Sequence, residues 1–336
     1  MNPNATQPRH SGITRRQWLA TAGAGLAAAS PLTSFAQSDY PSKTIRLVVG
    51  YPPGGSVDMA ARVLADVLTA RLPATVVVET VSGAAGTLAA QKVVTSPADG
   101  YTLLAGSSNE MAATGQVNPA QKYDPLRDLS TIGLLATAPV LLVAGPKTGV
   151  KTLAEFIDLV KRNPGRFSYG SSGVGSTLHF AGELIKQRAG VFMTHIPYRG
   201  TGPLTNDLLG GNIEFAMMSP TAAAPFVNTG RLVGLGVTSA QRFATLPDVP
   251  ALSEHAALKG YEMNGWFALA APVGLPPAIA QRLRTALQEG LKDPAIRKRL
   301  QDGGSVPASG QEDAAAVMRT DIARYAALVK FANVTP

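Results

Sequence analysis

Short apolar runs alternate with amphipathic stretches along most of the chain, a pattern that predicts an α/β fold. Ile45-Arg46-Leu47-Val48-Val49 reads as the first strand, and Pro52-Pro53-Gly54-Gly55-Ser56 interrupts it. Met59, Val63, Leu64, Val67 and Leu68 then lay one apolar stripe along a helix over 57–72. Val76-Val77-Val78 predicts a second strand. Tyr101-Thr102-Leu103-Leu104-Ala105 predicts another, ending at Gly106-Ser107-Ser108-Asn109. Two further strands are expected at 132–136 and 140–144.

A second cycle begins at Thr152. Thr152-Leu153-Ala154-Glu155 fits a capping box and predicts a helix that stops at Asn163-Pro164-Gly165. A short strand at Phe167-Ser168-Tyr169 leads through Gly170-Ser171-Ser172-Gly173-Val174-Gly175-Ser176 into a helix over 177–188. Strand His195-Ile196-Pro197 leads into Tyr198-Arg199-Gly200-Thr201-Gly202, a helix that ends near Gly210-Gly211, and strands at 215–218 and 232–237. The apolar run from Gly265 to Ala271 reads as the chain returning to its first domain, followed by helices over 276–292, 295–301 and 311–331. Ser309-Gly310-Gln311-Glu312 fits a second capping box. The pattern places chain crossings near 138–145 and 260–268, and the domains at 37–140 plus 264–336 and at 141–263.

Length supports the same division, because 336 residues suggest about two domains. Only 15% of residues are charged and none is cysteine. The missing cysteines exclude disulfides, thiolate metal sites, a cysteine nucleophile and a cysteine-linked lipid. No apolar run reaches the ~18–20 residues of a membrane helix. Residues 1–36 read as a cleavable export signal. Arg15-Arg16-Gln17-Trp18-Leu19 resembles the twin-arginine (Tat) form, with Trp18 where Phe is usual, so that Sec export is the alternative, and Ser34-Phe35-Ala36 offers small residues before a cut after Ala36. This segment carries Arg9, Arg15 and Arg16 and no acid, so the formal charge of +8 falls to +5 once it is removed. Without a dense Lys/Arg cluster, a nucleic-acid partner is not expected.

Two segments share the order strand, Gly/Ser-rich turn, helix. They are Tyr51-Pro52-Pro53-Gly54-Gly55-Ser56-Val57-Asp58 and Gly170-Ser171-Ser172-Gly173-Val174-Gly175-Ser176-Thr177. Such turns leave helix N-terminal amides free and partly positive, and glycine lets a ligand approach them closely. That arrangement binds anions. One loop in each domain suggests two jaws holding one molecule. Ser107, Ser108, Asn109 and Ser219 end strands in polar loops, where ligands meet open α/β sheets. Tyr198-Arg199-Gly200-Thr201 offers an arginine fork for a carboxylate; a solvent-facing Arg in a turn is the equal alternative.

Other chemistries find little support. There is no phosphate-binding Walker motif, and Leu178 stands where a dinucleotide fingerprint needs its third glycine. His179 and Glu183 share a helix face at metal-ligand spacing without an evident third ligand, so helix packing is expected there and no metal or cofactor is assigned. No G-x-S-x-G elbow marks a serine nucleophile, so no catalytic residue is assigned.

The ordered series of motifs resembles the Bug proteins, the periplasmic solute receptors of tripartite tricarboxylate transporters. It runs through Tyr40–Val49, Pro52–Asp58, Ser96-Pro97-Ala98-Asp99-Gly100-Tyr101, Tyr123–Asp128, Tyr169–Ser176, His195–Gly200, Asp207–Gly211 and Leu246–Pro250. The resemblance implies a type II-like, two-domain periplasmic-binding-protein fold with a ligand cleft between the domains. It implies a monomer that captures a small organic carboxylate by closure and delivers it to membrane transporter subunits in a transient contact. Loops matching Pro53–Ser56 and Ser171–Thr177, Gly175 included, would hold one ligand carboxylate. Asn109, Tyr198–Thr201 and Ser219 would meet its distal end. Two positions depart from the family pattern: Met218 stands where many relatives have Asp, and Arg199 where Lys is frequent. Both lean towards a dicarboxylate or aromatic carboxylate over an amino acid. Delivery to a sensor kinase and a periplasmic hydrolase are the alternatives.

Overall fold

The structure, a computed structural model, describes residues 40–119 and 121–334. The export signal expected at 1–36 lies outside them.

Two sheets divide the strands. The first comprises β1 (Ile45–Val49), β2 (Val76–Thr80), β3 (Thr102–Ser107), β4 (Leu129–Ala138), β10 (Gly265–Pro272) and β11 (Val306–Pro307), in the order β11-β4-β10-β3-β1-β2. The second comprises β5 (Leu141–Ala144), β6 (Ser168–Ser171), β7 (Thr194–Pro197), β8 (Phe215–Met218) and β9 (Val233–Val237), in the order β7-β6-β8-β5-β9. In each sheet three neighbouring strands run parallel: β1, β2 and β3 in one, β6, β7 and β8 in the other. The loops after β1, β3, β6, β7 and β8 therefore leave their sheets at carboxyl ends, where open α/β sheets bind ligands.

The helices are α1 (Ser56–Arg71), α2 (Thr87–Val94), α3 (Pro125–Asp128), α4 (Leu153–Arg162), α5 (Thr177–Ala189), α6 (Thr201–Gly210), α7 (Pro220–Val227), α8 (Pro277–Leu291), α9 (Pro294–Asp302) and α10 (Ala314–Ala332). The stripe expected on α1 is its buried face, with Val63, Leu64, Val67 and Leu68 all below 2% exposed. None of the described helices is long and apolar enough to cross a membrane.

Local chemistry shifts some expected boundaries. Thr152 caps α4 by accepting from Glu155 N (3.2 Å), but the Glu155 carboxylate takes Lys151 N (2.7 Å), one residue before the box position. The second expected capping box forms as a turn and not as a helix start. Glu312 accepts from Ser309 N and Gly310 N, while Asp313 caps α10 through Ala315 N and Ala316 N. The helix thus begins at Ala314, three residues later than expected. Strand β3 runs on to Ser107, and a π-helical turn, Asn109–Ala113, replaces the expected polar loop. The cause is Glu110, whose carboxylate turns inward and accepts from Ser107 N (2.6 Å) and Ser107 Oγ (2.5 Å).

The chain passes from the first sheet to the second between Ala138 and Leu141 and returns before Gly265. Buried Thr238 joins the two passages. Its hydroxyl accepts from Val140 N (2.7 Å) and donates to Asn264 Oδ1 (3.1 Å). Its backbone exchanges bonds with Val140 O and Met263 N. Trp266 Nε1, in β10, donates to Asp321 of α10 (2.8 Å), so the returning strand is also fixed to the C-terminal helix.

Candidate functional site

The first loop joins β1 to α1. Pro52, Pro53, Gly54 and Gly55 are exposed. Gly54 has a φ of +94°, a conformation that glycine adopts without strain. Its amide donates to Asp58 Oδ2 (3.1 Å), which also receives Arg62 Nε (2.9 Å). The Arg62 hydrogen bond holds the Asp58 carboxyl below its usual range despite burial. Asp58, expected to touch ligand, is instead the buried brace that shapes the loop. The amides of Ser56 and Val57, in the first turn of α1, have no acceptor among the described residues.

The second loop joins β6 to α5 and is tied down at nearly every residue. Ser171 Oγ meets His195 Nε2 (2.7 Å), Gly173 N donates to Ser171 Oγ (3.2 Å), and Ser176 Oγ donates to Gly173 O (2.8 Å). Ser176 caps α5 through His179 N (3.2 Å). Gly175 N donates to His179 Nδ1 (3.2 Å), so that nitrogen is the unprotonated one. Ser172 stays half-buried and Val174 exposed. Leu178 N, in the first turn of α5, has no acceptor among the described residues.

The two loops meet through the end of β3. Thr177, first residue of α5, donates both its amide and its hydroxyl to Asn109 Oδ1, each at 3.1 Å. The Thr177 hydroxyl also lies 3.0 Å from Ser108 Oγ and 3.3 Å from Tyr325 Oη. On its other side, Asn109 Nδ2 donates to Tyr51 Oη (3.0 Å), at the root of the first loop. Gly175 packs closely against Val117, which follows the turn after β3, since a Cβ there would stand 2.3 Å from Val117 Cγ2. Tyr51, Ser108, Asn109 and Thr177 are thus one hydrogen-bonded group, drawn from both lobes.

Other expected residues take different places. Ser107 is buried and committed to Glu110. Tyr198 anchors its backbone on Ser171 O (3.0 Å), so β7 does bring Tyr198-Arg199-Gly200-Thr201 beside the second loop. Its hydroxyl donates to Asp207 (2.9 Å), and burial pushes it up to about 12. Arg199 is exposed. Ser219 stands at the N-terminus of α7 after β8 without bonding a helix amide through its side chain; its hydroxyl lies 3.2 Å from Thr221 Oγ1. Met218 is fully buried within the apolar core formed with Leu141, Leu204 and Ala223. The missing acid at 218 therefore concerns core packing, and the lean it gave against an amino-acid ligand falls away.

Two supporting residues, Glu110 and Tyr325, carried no sequence signal. Glu110 lies beneath Tyr51 and Ser107, and burial raises its carboxyl to about 7. Tyr325 reaches Thr177 from 148 residues away. Glu183 accepts from Tyr169 (2.7 Å) and pairs with Lys186 (2.8 Å), while His179 Nε2 stands 4.0 Å off. The His179–Glu183 pair is thereby packing within α5. Among the described residues no group of three metal-ligating side chains occurs.

The Ser171–His195 contact has the look of a nucleophile and base. Burial depresses His195 to about 3, and its ring stacks on His179, so it is a poor base near neutral pH. A cavity of 440 Å³ lies elsewhere, lined by Trp266, Glu262, Asp321, Arg324 and Val306 among others, and shares no residue with the two loops.

The profile of the tripartite tricarboxylate transporter family receptor matches residues 60–334. Protein BugT of Bordetella pertussis is 32% identical over 314 residues, covering 93% of this chain and 96% of BugT. The UPF0065 protein of the gbd 5′ region in Cupriavidus necator is 37% identical over 295 residues, covering 86% and 88%. An R. palustris protein solved with adipate superposes with a TM-score of 0.78 at 32% identity, covering 88% of this chain and 99% of that one. MatC from Rhodopseudomonas palustris, solved with bound malate, gives 0.74 at 29%, covering 86% and 100%. The periplasmic binding protein BugD gives 0.74 at 30%, covering 88% and 99%. On the profile match over most of its length, the identity to these relatives and the shared two-domain periplasmic-binding-protein fold, the chain belongs to the tripartite tricarboxylate transporter receptor family.

Proposed function

We propose that the protein is an exported receptor that captures a small organic carboxylate between its two loops by domain closure. The observation that carries this reading is the meeting of Thr177, at the N-terminus of α5, with Ser108 and Asn109 from the other sheet. A helix N-terminus favours negative charge, and here it faces groups of the opposite lobe at hydrogen-bond distance. Pro53–Ser56 and Ser171–Thr177 are the two jaws. Tyr198–Thr201 and Ser219 lie beside the second jaw and face the distal end of the ligand. The domain limits are 37–140 plus 264–336 and 141–263. Residues 1–36 direct export along a twin-arginine route, and the mature monomer hands its ligand to membrane transporter subunits.

A thermal-shift screen of mono-, di- and tricarboxylates tests this. A ligand at 100 times its dissociation constant stabilises by ~2.7 kcal/mol. At least one carboxylate should raise the melting temperature and be recovered unchanged. A screen with no shift defeats the ligand class, and turnover of the bound compound defeats the receptor reading.

A further inference from the structure

Asn109 sits where an anion belongs. Its side-chain oxygen accepts both donors that Thr177 presents at the first turn of α5, the amide and the hydroxyl, each at 3.1 Å. The orientation of the amide group is fixed by chemistry. Nδ2 donates to Tyr51 Oη (3.0 Å), and Tyr51 in turn donates to Ala85 O (2.9 Å). A flipped Asn109 would set its NH2 against the Thr177 amide, donor against donor. Asn109 begins a π-helical turn whose next residue, Glu110, is locked onto Ser107, so its backbone is held as well. The result is a neutral oxygen, supplied by one lobe, pressed on the helix terminus of the other.

We propose that Asn109 is a built-in surrogate for the ligand carboxylate, and that capture is an exchange in which the ligand oxygen displaces the Asn109 oxygen from Thr177. The inference rests on the reading of this cleft as a carboxylate site. A carboxylate wins the exchange because a charge-assisted hydrogen bond is roughly twice as strong as a neutral one, and because the helix terminus rewards negative charge. The clasp lowers the affinity of every ligand by the same factor, since releasing Thr177 is a property of the protein alone. It also joins the two lobes through side chains in the ligand-free closed form, and so biases the equilibrium between open and closed forms towards closure.

The role assigned here differs from an ordinary ligand contact in the sign of its effect. A contact residue weakens binding when it is removed. A competitor strengthens it.

The test uses the mature chain, with adipate and malate as probes, and the variants Asn109→Ala and Asn109→Asp. Calorimetry of Asn109→Ala should show tighter binding, by about threefold to tenfold, and by a common factor for every probe that binds. Asn109→Asp places a fixed carboxylate on Thr177 and should weaken the same probes at least tenfold. Small-angle scattering without added probe should give a larger radius of gyration for Asn109→Ala than for wild type, because both bonds from Thr177 to Asn109 are gone and only the Ser108 and Tyr325 contacts remain. Weaker binding by Asn109→Ala, or factors that differ between probes, overturns the proposal in favour of direct contact. An unchanged radius of gyration overturns the clasp. If neither probe binds wild type, the carboxylate reading is at fault for these two compounds, and the scattering comparison still decides whether Asn109 joins the lobes. Thr177→Val repeats the scattering test from the other side of the bond and should also open the protein.

Discussion

His179 and His195 lie ring on ring, with centroids 3.9 Å apart and planes 19° from parallel, and each holds one point of the second loop. His195 meets Ser171, and His179 accepts from Gly175. Two imidazoles this close cannot both take a proton cheaply. Burial is the main reason that both are depressed, His179 to about 4 and His195 to about 3. Glu183 opposes the fall at His179, and Lys186 adds to it at both rings.

The pair makes stability depend on pH with a definite sign. Both residues return to an ordinary 6.5 when the chain unfolds. Between that value and the folded values, the unfolded chain binds more protons, so stability falls as pH falls. The contribution is complete above about pH 6.5 and is lost towards about pH 4 and below. His179→Gln should remove part of this slope. Urea midpoints taken at several pH values should show wild type gaining on the variant as pH rises from about 4 to 6.5. Parallel curves would show that the ring is not held neutral. Because protonated His179 can no longer accept from Gly175, carboxylate affinity should hold down to about pH 5 and weaken only as pH falls through about 4, where the folded ring takes its proton.

Glu110 should produce a slope of the opposite sign. Burial raises its carboxyl from 4.5 to about 7, against the hydrogen bonds from Ser107 and Tyr51 that lower it. Between those values the folded protein holds the extra proton, so stability falls as pH rises. Glu110→Gln cannot ionise. Its stability relative to wild type should therefore improve from about pH 4.5 to 7, even though it starts lower for want of an acceptor to Ser107. A relative stability that stays flat across this window would mean that Glu110 is ionised throughout.

The alternation of strands and helices was readable because buried parallel strands such as Ile45–Val49 need continuous apolar runs, and α1 needs one apolar stripe. The two Gly/Ser turns were readable because glycine at positive φ and free helix amides leave a compositional trace. What escaped depended on contacts far apart in sequence. Asp58 looked like part of a binding loop because four residues from Gly54 is also one helical turn, and only the fold turns its carboxylate inward. Glu110 gave no sign, since a lone acid after a polar turn normally faces water. Tyr325 and Thr177 meet only because α10 packs back across the sheet. Helices α2 and α7 leave no clear trace in the sequence, because eight residues give barely two turns in which a 3.6-residue period can show.

The first loop offers a way to separate binding from stability. Gly54 has open space around it, with no atom within 4 Å of an added Cβ, but its φ of +94° strains any other residue. Gly54→Val should therefore reshape the loop without disturbing the core, lowering carboxylate affinity at least tenfold while costing about 1–3 kcal/mol or less in stability. Asp58→Ala removes the brace from below and should lower affinity in the same direction, with a larger loss of stability because Arg62 also loses its partner. Calorimetry beside urea denaturation reads both. Full affinity in Gly54→Val would remove this loop from the ligand site.

Thr238 gives the sharpest test of how the two lobes are joined. Its hydroxyl is buried and has two partners, one on each passage between the sheets: Val140 N at 2.7 Å and Asn264 Oδ1 at 3.1 Å. Thr238→Val keeps the shape and removes both bonds, leaving the Val140 amide and the Asn264 oxygen without this partner. An unsatisfied buried group costs about 1–3 kcal/mol, so urea denaturation should show a loss of that order. Thr238→Ser keeps the hydroxyl and deletes only a methyl group, and it should lose less than the valine variant. The order matters more than the size. Packing alone would make the serine variant the weaker of the two, whereas a hydroxyl that fastens both passages makes it the stronger. Scattering should separate the variants further, with the valine form sampling a wider spread of lobe separations because its crossings are no longer fixed to one another.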